Sequence, residues 1–285
     1  MNIYNKNKTV GIVGLGLIGG SIGIALLDNI NNYYYVLGFD HNKRHEEEAI
    51  KLKLVNKIGN LNEILNCDII FLAIPVEGIV DFLKNINLKD IRPETTIIDL
   101  GSTKAEIIKS IPHQIRKNFV ASHPMAGTEK SGPSASLKNL YLNRVAVLCN
   151  LEDSGEIQQR ESIEIFKFLG MRIVKMDGEE HDRHVSWISH LPHVLSFSLA
   201  NSVLKQENPE SIINLAAGGF RDMSRLAKSS PKMWRDIFQQ NRVNLLNSID
   251  NFMKELYNFR DLIEKTDWEK VEEKMENANS LHKIL

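Results

Sequence analysis

The chain has 285 residues, 42% of them apolar and 25% charged, with a net charge of −1. This is an ordinary globular mix, long enough for one or two domains with real cores. The near-neutral balance excludes the basic footprint of a nucleic-acid binder.

The chain opens on a polar stretch up to Thr9, without the basic-then-apolar layout of a signal peptide. No segment reaches the ~18 uninterrupted apolar residues of a membrane span. Cys67 and Cys149 stand far apart without CxxC spacing, so they read as small buried hydrophobes rather than a disulfide or zinc pair. A cytoplasmic protein is the expectation.

The first apolar run, residues 9–13, leads into Gly14-Leu15-Gly16-Leu17-Ile18-Gly19-Gly20-Ser21 and then a helical pattern over 17–28. This is G-x-G-x-x-G between a strand and a helix. Gly14 makes the tight turn, Gly16 admits a pyrophosphate to the backbone, and Gly19 allows close helix–strand packing. A diphosphate then meets the free N–H groups of the helix N-terminus, with Leu17 and Ile18 as further cofactor contacts. The second strand, 34–39, ends at Asp40, about twenty residues beyond the glycines, where an acid binds the adenine ribose hydroxyls. A carboxylate there repels a 2′-phosphate and favours NAD over NADP. His41, Lys43 and Arg44 follow it and work the other way.

Further strand-like runs follow at 68–73, 95–100, 119–122, 145–149 and 172–175, with helical stretches such as 78–85 and 104–111 between them. The alternation predicts an α/β fold, a doubly wound, mainly parallel sheet covered on both faces. Ser102 follows the run 95–100, and His123 ends the run beginning at Phe119. Both stand at carboxyl ends of strands, where open α/β sheets bind ligands. An imidazole there can take the proton of an alcohol that loses hydride. The bland alternative is a helix cap and a loop histidine.

After about Met176 the strands stop. Helical patterns cover 180–205, 211–228 and 232–257, with a charged helix near Trp268. Leu245, Ile249, Phe252, Met253 and Leu256 recur at helical spacing, which predicts an all-helical second domain, 177–285, after a nucleotide-binding domain, 1–176. His181, His184, His190 and His193 do not share one helix face, so no metal site is expected from them. Ser186, Ser189 and His193 do share one and suit a polar pocket wall. Pro192 is expected to kink that helix. Arg221 and Arg225 lie four apart and suit an anion, with Asp222 placed to orient Arg225. Trp234, near a helix start, reads as a core or interface aromatic, or as a wall of a ring pocket.

Taken in order, G-L-G-L-I-G-G-S, D-L-G-S-T-K, S-H-P-M-A-G-T-E, S-H-L-P-H and G-G-F-R-D-M-S-R resemble the prephenate/arogenate dehydrogenase family of tyrosine biosynthesis over nearly the whole chain. The resemblance implies a Rossmann-type domain joined to a helical domain that dimerises. It implies oxidative decarboxylation of prephenate to 4-hydroxyphenylpyruvate, or of arogenate to tyrosine, with NAD as cofactor and no metal. By the same resemblance His123 is the catalytic histidine at the ring C4 hydroxyl, and Ser102 hydrogen-bonds it. His193 and Ser189 line the substrate pocket with Thr128 and Trp234. Arg225 binds a substrate carboxylate, and Glu129 and Arg221 form an acid–base pair flanking the pocket. Tyrosine is a candidate feedback inhibitor. The chain end at Leu285 leads us to expect no appended regulatory domain. Two alternatives stand beside this: a related dehydrogenase for another hydroxy acid, and a non-catalytic NAD-binding sensor of the same fold.

Overall fold

The computed structural model describes residues 8–28, 33–86 and 88–284; most of the polar opening stretch lies outside the described residues. The first half runs β1 (Lys8–Val13), α1 (Leu17–Leu27), β2 (Tyr34–Phe39), α2 (Lys43–Lys51), β3 (Lys57–Ile58), α3 (Leu61–Leu65), β4 (Ile69–Leu72), α4 (Val76–Asn85), β5 (Thr96–Asp99), α5 (Ala105–Ser110), β6 (Phe119–Pro124), β7 (Val145–Cys149), α6 (Glu156–Phe168) and β8 (Arg172–Met176). The strands form one sheet in the order β3-β2-β1-β4-β5-β6-β7-β8. All pairs are parallel except β6–β7.

Why these segments are central strands is visible in their burial. β4 and β5 are buried at every position, as continuous apolar runs covered on both faces must be. Their side chains alternate between two cores. Ile12, Phe71, Ile98 and Val120 face one cluster, which includes Phe166 and Tyr141. Val13, Ile70, Leu72, Ile97 and Phe119 face the other, under Ile79 and Leu83 of α4. The period of two is the strand's own. Cys67 and Cys149 are free and buried. Burial pushes their thiols up, to about 11 and about 12, which leaves them inert packing groups.

The strand over 57–58 was not foreseen. Two residues carry no alternating pattern, and its ladder to Leu37 and Gly38 is set by the turn after α2. Local chemistry explains the short helices beside it. Asn42 caps α2 by accepting from Arg44 N, and Asn60 with Glu63 closes a reciprocal capping box on α3.

The second half is helical: α7 (Gly178–Val185), α8 (Leu191–Leu204), α9 (Pro209–Asn214), α10 (Gly218–Ser224), α11 (Pro231–Gln240), α12 (Arg242–Glu264) and α13 (Trp268–Asn279). The long helix expected over 180–205 is broken by a π-turn at Ser186–His190, where Leu191 N–H bonds Ser186 O. Pro192 follows this turn near the start of α8. Proline lacks the N–H that would continue the α ladder, and the widened turn absorbs the mismatch. The stretch expected over 232–257 divides at Asn241, the cap of both α11 and α12.

Little of this half is buried. α9, α10 and α13 bury no residue, while Leu215 is 85% exposed, Val243 69%, Ile188 68% and Tyr257 62%. Met253 and Leu256, read as part of an apolar face, are among the exposed residues. Uncovered apolar surface on this scale marks an association face. No helix among the described residues is long and apolar enough to cross a membrane.

Candidate active site

The glycine loop joins β1 to α1. Gly14 has φ +94°, a left-handed conformation that disfavours any side chain, and a Cβ there would sit 2.4 Å from Ala73 O. A Cβ on Gly19 would lie 1.9 Å from Gly14 O, so only glycine lets α1 pack this closely. Gly16 differs: a Cβ there meets nothing within 4 Å. It is the N-cap of α1, and no side chain caps that terminus. Its leading N–H groups therefore remain for an anion in open space, as a diphosphate requires. Ile18 is half-buried, whereas the Leu17 side chain belongs to the core and leaves only backbone for a ligand.

Asp40 ends β2 and is 5% exposed. Its Oδ2 accepts Leu15 N–H at 2.8 Å and its Oδ1 accepts Asn42 N–H at 2.9 Å. His41 and His45 each place Nδ1 3.3 Å from the carboxylate. Asp40 thus braces the glycine loop as well as facing the cleft beside it. That cleft, roughly 300 Å³, is lined by Gly14, Asp40, His41, Ile74, Phe82 and Asn85. It opens where β1 lies between β2 and β4, the point at which strand order reverses.

His123 lies on β6, half-buried. Its Nδ1 is 2.9 Å from Nε2 of His181, and Nδ1 of His181 is 2.8 Å from Oδ1 of Asp182. Asp182 accepts backbone N–H from Lys104 at 2.8 Å and Ala105 at 2.9 Å, so it caps α5 from the helical half. Beneath them Lys104 Nζ, fully buried, pairs with Asp99 and donates to Ser122 O at 2.6 Å. Asp99 also accepts Ser122 N–H and Gly101 N–H. Burial, with His181, Lys104 and His190 nearby, holds His123 well below the usual imidazole range. It is a neutral acceptor at physiological pH.

The expected bond from Ser102 to His123 is absent: His181 occupies Nδ1, and Ser102, half-buried beyond β5, makes no side-chain hydrogen bond in the protein. His181, Asp182 and the Asp99–Lys104 pair were not foreseen as site residues. Their partners lie on other elements, and no spacing within the chain signals them. Among the described residues no cluster of His, Cys, Asp and Glu is arranged to hold a metal. His184 is exposed, away from the buried His181 and His190.

Of the three residues expected on one pocket wall, Ser186 and Ser189 lie in the π-turn, and His193 lies on α8. Its Nδ1 is 2.8 Å from Ser189 O, and its ring stacks on Trp234 at 3.5 Å. Burial lowers the His193 pKa, the Ser189 carbonyl raises it, and nearby Arg225 lowers it further. Trp234 is buried, and its Nε1–H has no protein acceptor. Asn241 ties this wall to the other residues, donating to Asp182 O at 2.6 Å and lying 3.1 Å from His190 Nδ1.

Arg221, Arg225, Thr128 and Glu129 are exposed. Thr128 Oγ1 accepts Lys130 N–H. Glu129 and Arg221 form no ion pair, and neither do Asp222 and Arg225. Each long side chain is solvated, and nothing repays ordering it.

The sequence matches two family profiles: prephenate dehydrogenase, nucleotide-binding domain, over residues 26–175, and prephenate dehydrogenase, dimerization domain, over residues 177–277. It is 33% identical over 266 residues to a prephenate dehydrogenase of Bacillus subtilis, covering 92% of this chain and 71% of that one. It is 34% identical over 287 residues to a prephenate dehydrogenase of Lactococcus lactis, covering 98% and 77%. Its fold superposes on the crystal structure of prephenate dehydrogenase from A. aeolicus in complex with hydroxyphenyl propionate and NAD+, with TM-score 0.89 at 29% identity over 97% of this chain and 98% of that one. The chain belongs to the prephenate dehydrogenase family.

Proposed function

We propose that this chain catalyses the NAD-dependent oxidative decarboxylation of prephenate to 4-hydroxyphenylpyruvate in tyrosine biosynthesis. The observation that carries this reading is His123: a neutral imidazole at a strand end of the nucleotide-binding sheet, with Nδ1 engaged by His181. Family membership directs that chemistry to a cyclohexadienol.

Gly14, Gly16, Leu17, Ile18 and Gly19 hold the diphosphate through backbone, and Asp40 takes the adenine ribose. NAD, when bound, supplies the hydride acceptor. His123 removes the C4 hydroxyl proton, and the conjugated carbonyl that forms draws the ring electrons as carbon dioxide leaves. Ser102, half-buried after β5, keeps its hydroxyl free to serve His123 or the ligand. His193, Ser189 and Trp234 line the ring pocket. Arg225 binds a carboxylate through its planar fork, with Arg221, Thr128 and Glu129 at the pocket rim.

The same reading divides the chain into a nucleotide-binding domain, 1–176, and a helical domain, 177–285, that pairs with a second copy. The exposed Ile188, Leu215, Val243 and Tyr257 support a homodimer. The two free cysteines support a reducing cytoplasm. Tyrosine as feedback inhibitor rests on the family resemblance alone.

The test is NADH absorbance after mixing the protein with NAD and prephenate, with arogenate and NADP in parallel. A signal with prephenate supports the reading. Arogenate alone would move the substrate, and silence with both would sink it.

A further inference from the structure

Asp182, His181 and His123 form an unbroken polar line from the N-terminus of α5 to the end of β6. Both Asp182 oxygens accept backbone N–H groups, from Lys104 and Ala105. With backbone N–H donors on both oxygens, the carboxylate presents acceptor sites to its remaining neighbour. The Nδ1 of His181, 2.8 Å from Asp182 Oδ1, must therefore carry hydrogen. A neutral imidazole has one N–H, so Nε2 of His181 is a bare acceptor. It lies 2.9 Å from Nδ1 of His123, which must then supply the hydrogen. His123 is left with its lone pair on Nε2, the nitrogen without a protein hydrogen bond.

We propose that His181 is the positioning residue for His123: it fixes the tautomer that keeps Nε2 of His123 bare, and it takes up, beside Asp182, the charge that His123 would otherwise keep on protonation. This rests on the reading of His123 as the base. As the C4 hydroxyl proton reaches Nε2, the Nδ1 proton can shift to Nε2 of His181. His181 becomes an imidazolium held by the Asp182 carboxylate; the hydroxyl's proton stays on His123, and no other protein group gains or loses one.

The surroundings agree. Lys104 lies beneath the line, and its ammonium is committed to Asp99 and Ser122 O. His190 lies on the other side; its Nδ1 faces the Asn241 amide, and burial pushes it down to about 4, so it stays neutral. Neither competes for the proton.

Two measurements test this. Nitrogen-15 spectra of the wild-type protein in mildly alkaline solution should show hydrogen on Nδ1 of His123, its signal picked out from those of the other histidines by its loss in His123→Asn. Hydrogen on Nε2 instead would overturn the proposal, whatever the variants do. Second, His181→Ala should lower kcat about 10²-fold, the scale of a misoriented catalytic group, with KM and NAD affinity unchanged. His181→Gln keeps an acceptor for His123 Nδ1 and should lose less. In both, the acid limb of kcat/KM should shift, because the proton is no longer shared between two imidazoles. Wild-type kcat and an unmoved acid limb would overturn the proposal. The underlying reading fails separately, if His123→Asn keeps turnover.

Discussion

Asp182 and Lys104 stand 78 positions apart, yet the carboxylate of one accepts the backbone N–H of the other at 2.8 Å. This is a helix cap supplied across the two halves of the chain. It satisfies the start of α5, which its own N-cap residue does not. It also fixes where α7 docks and so brings His181 onto His123.

Replacing His123 by Asn should remove about 10²–10⁴-fold of turnover, the usual share of a general base. The glycine loop and Asp40 are untouched, so NAD affinity by titration should be unchanged. Loss of NAD binding instead would count against His123 as base.

The pH profile follows from the same residue. His123 is held well below the ordinary imidazole range, chiefly by burial. A base works when unprotonated, so kcat/KM should stay level as pH falls through about 6.5, the free imidazole value. It should decline only at lower pH, as the pair protonates. A midpoint at the free value would show that His123 is not buried in the working enzyme.

Asp40→Ser should weaken NAD more than NADP, because the carboxylate that repels a 2′-phosphate is gone. Both cofactors should lose some affinity, since Oδ2 of Asp40 also holds Leu15 N–H of the glycine loop. Dissociation constants for the two cofactors decide it; equal loss would refute the ribose contact.

Lys104→Met should destabilise the protein by about 3–5 kcal/mol, the cost of leaving a buried charge without its partner. Asp99 would remain with only backbone donors. Adding Asp99→Asn should recover part of the loss in a thermal melt. An unchanged melting temperature in the single variant would show that the pair contributes nothing.

Arg225→Ala should mainly raise KM for the substrate, with NAD affinity intact. The side chain is exposed and lies near His193 without an acid partner, which suits a site waiting for a carboxylate. Steady-state kinetics check this, and an unchanged KM would remove Arg225 from the pocket.

Much of this protein is legible along the chain because its requirements are local. The turn at Gly14 and the packing at Gly19 need glycine within a few residues of each other. The continuous apolar runs of β4 and β5 announce strands buried on both faces. Ser102, His123 and Asp40 stand out as candidates because strand ends in such a sheet face ligands. Strand direction was less visible: nothing local says that β7 runs against β6. The helical half was read as fewer, longer helices, because a π-turn at Ser186–His190 and a cap at Asn241 interrupt patterns that look continuous.

What the sequence by itself determined is the nucleotide loop, the layered sheet and the histidine at its edge. All of these rest on backbone geometry and period, which neighbouring residues encode. Only the tertiary structure decided what that histidine touches. Ser102, close in sequence, does not hold it; His181, 58 positions away, does. That choice depends on how α7 docks on α5, through a carboxylate satisfying backbone donors of another element. Hydrogen bonds between distant elements leave no period in a sequence, because their geometry exists only once the chain has packed.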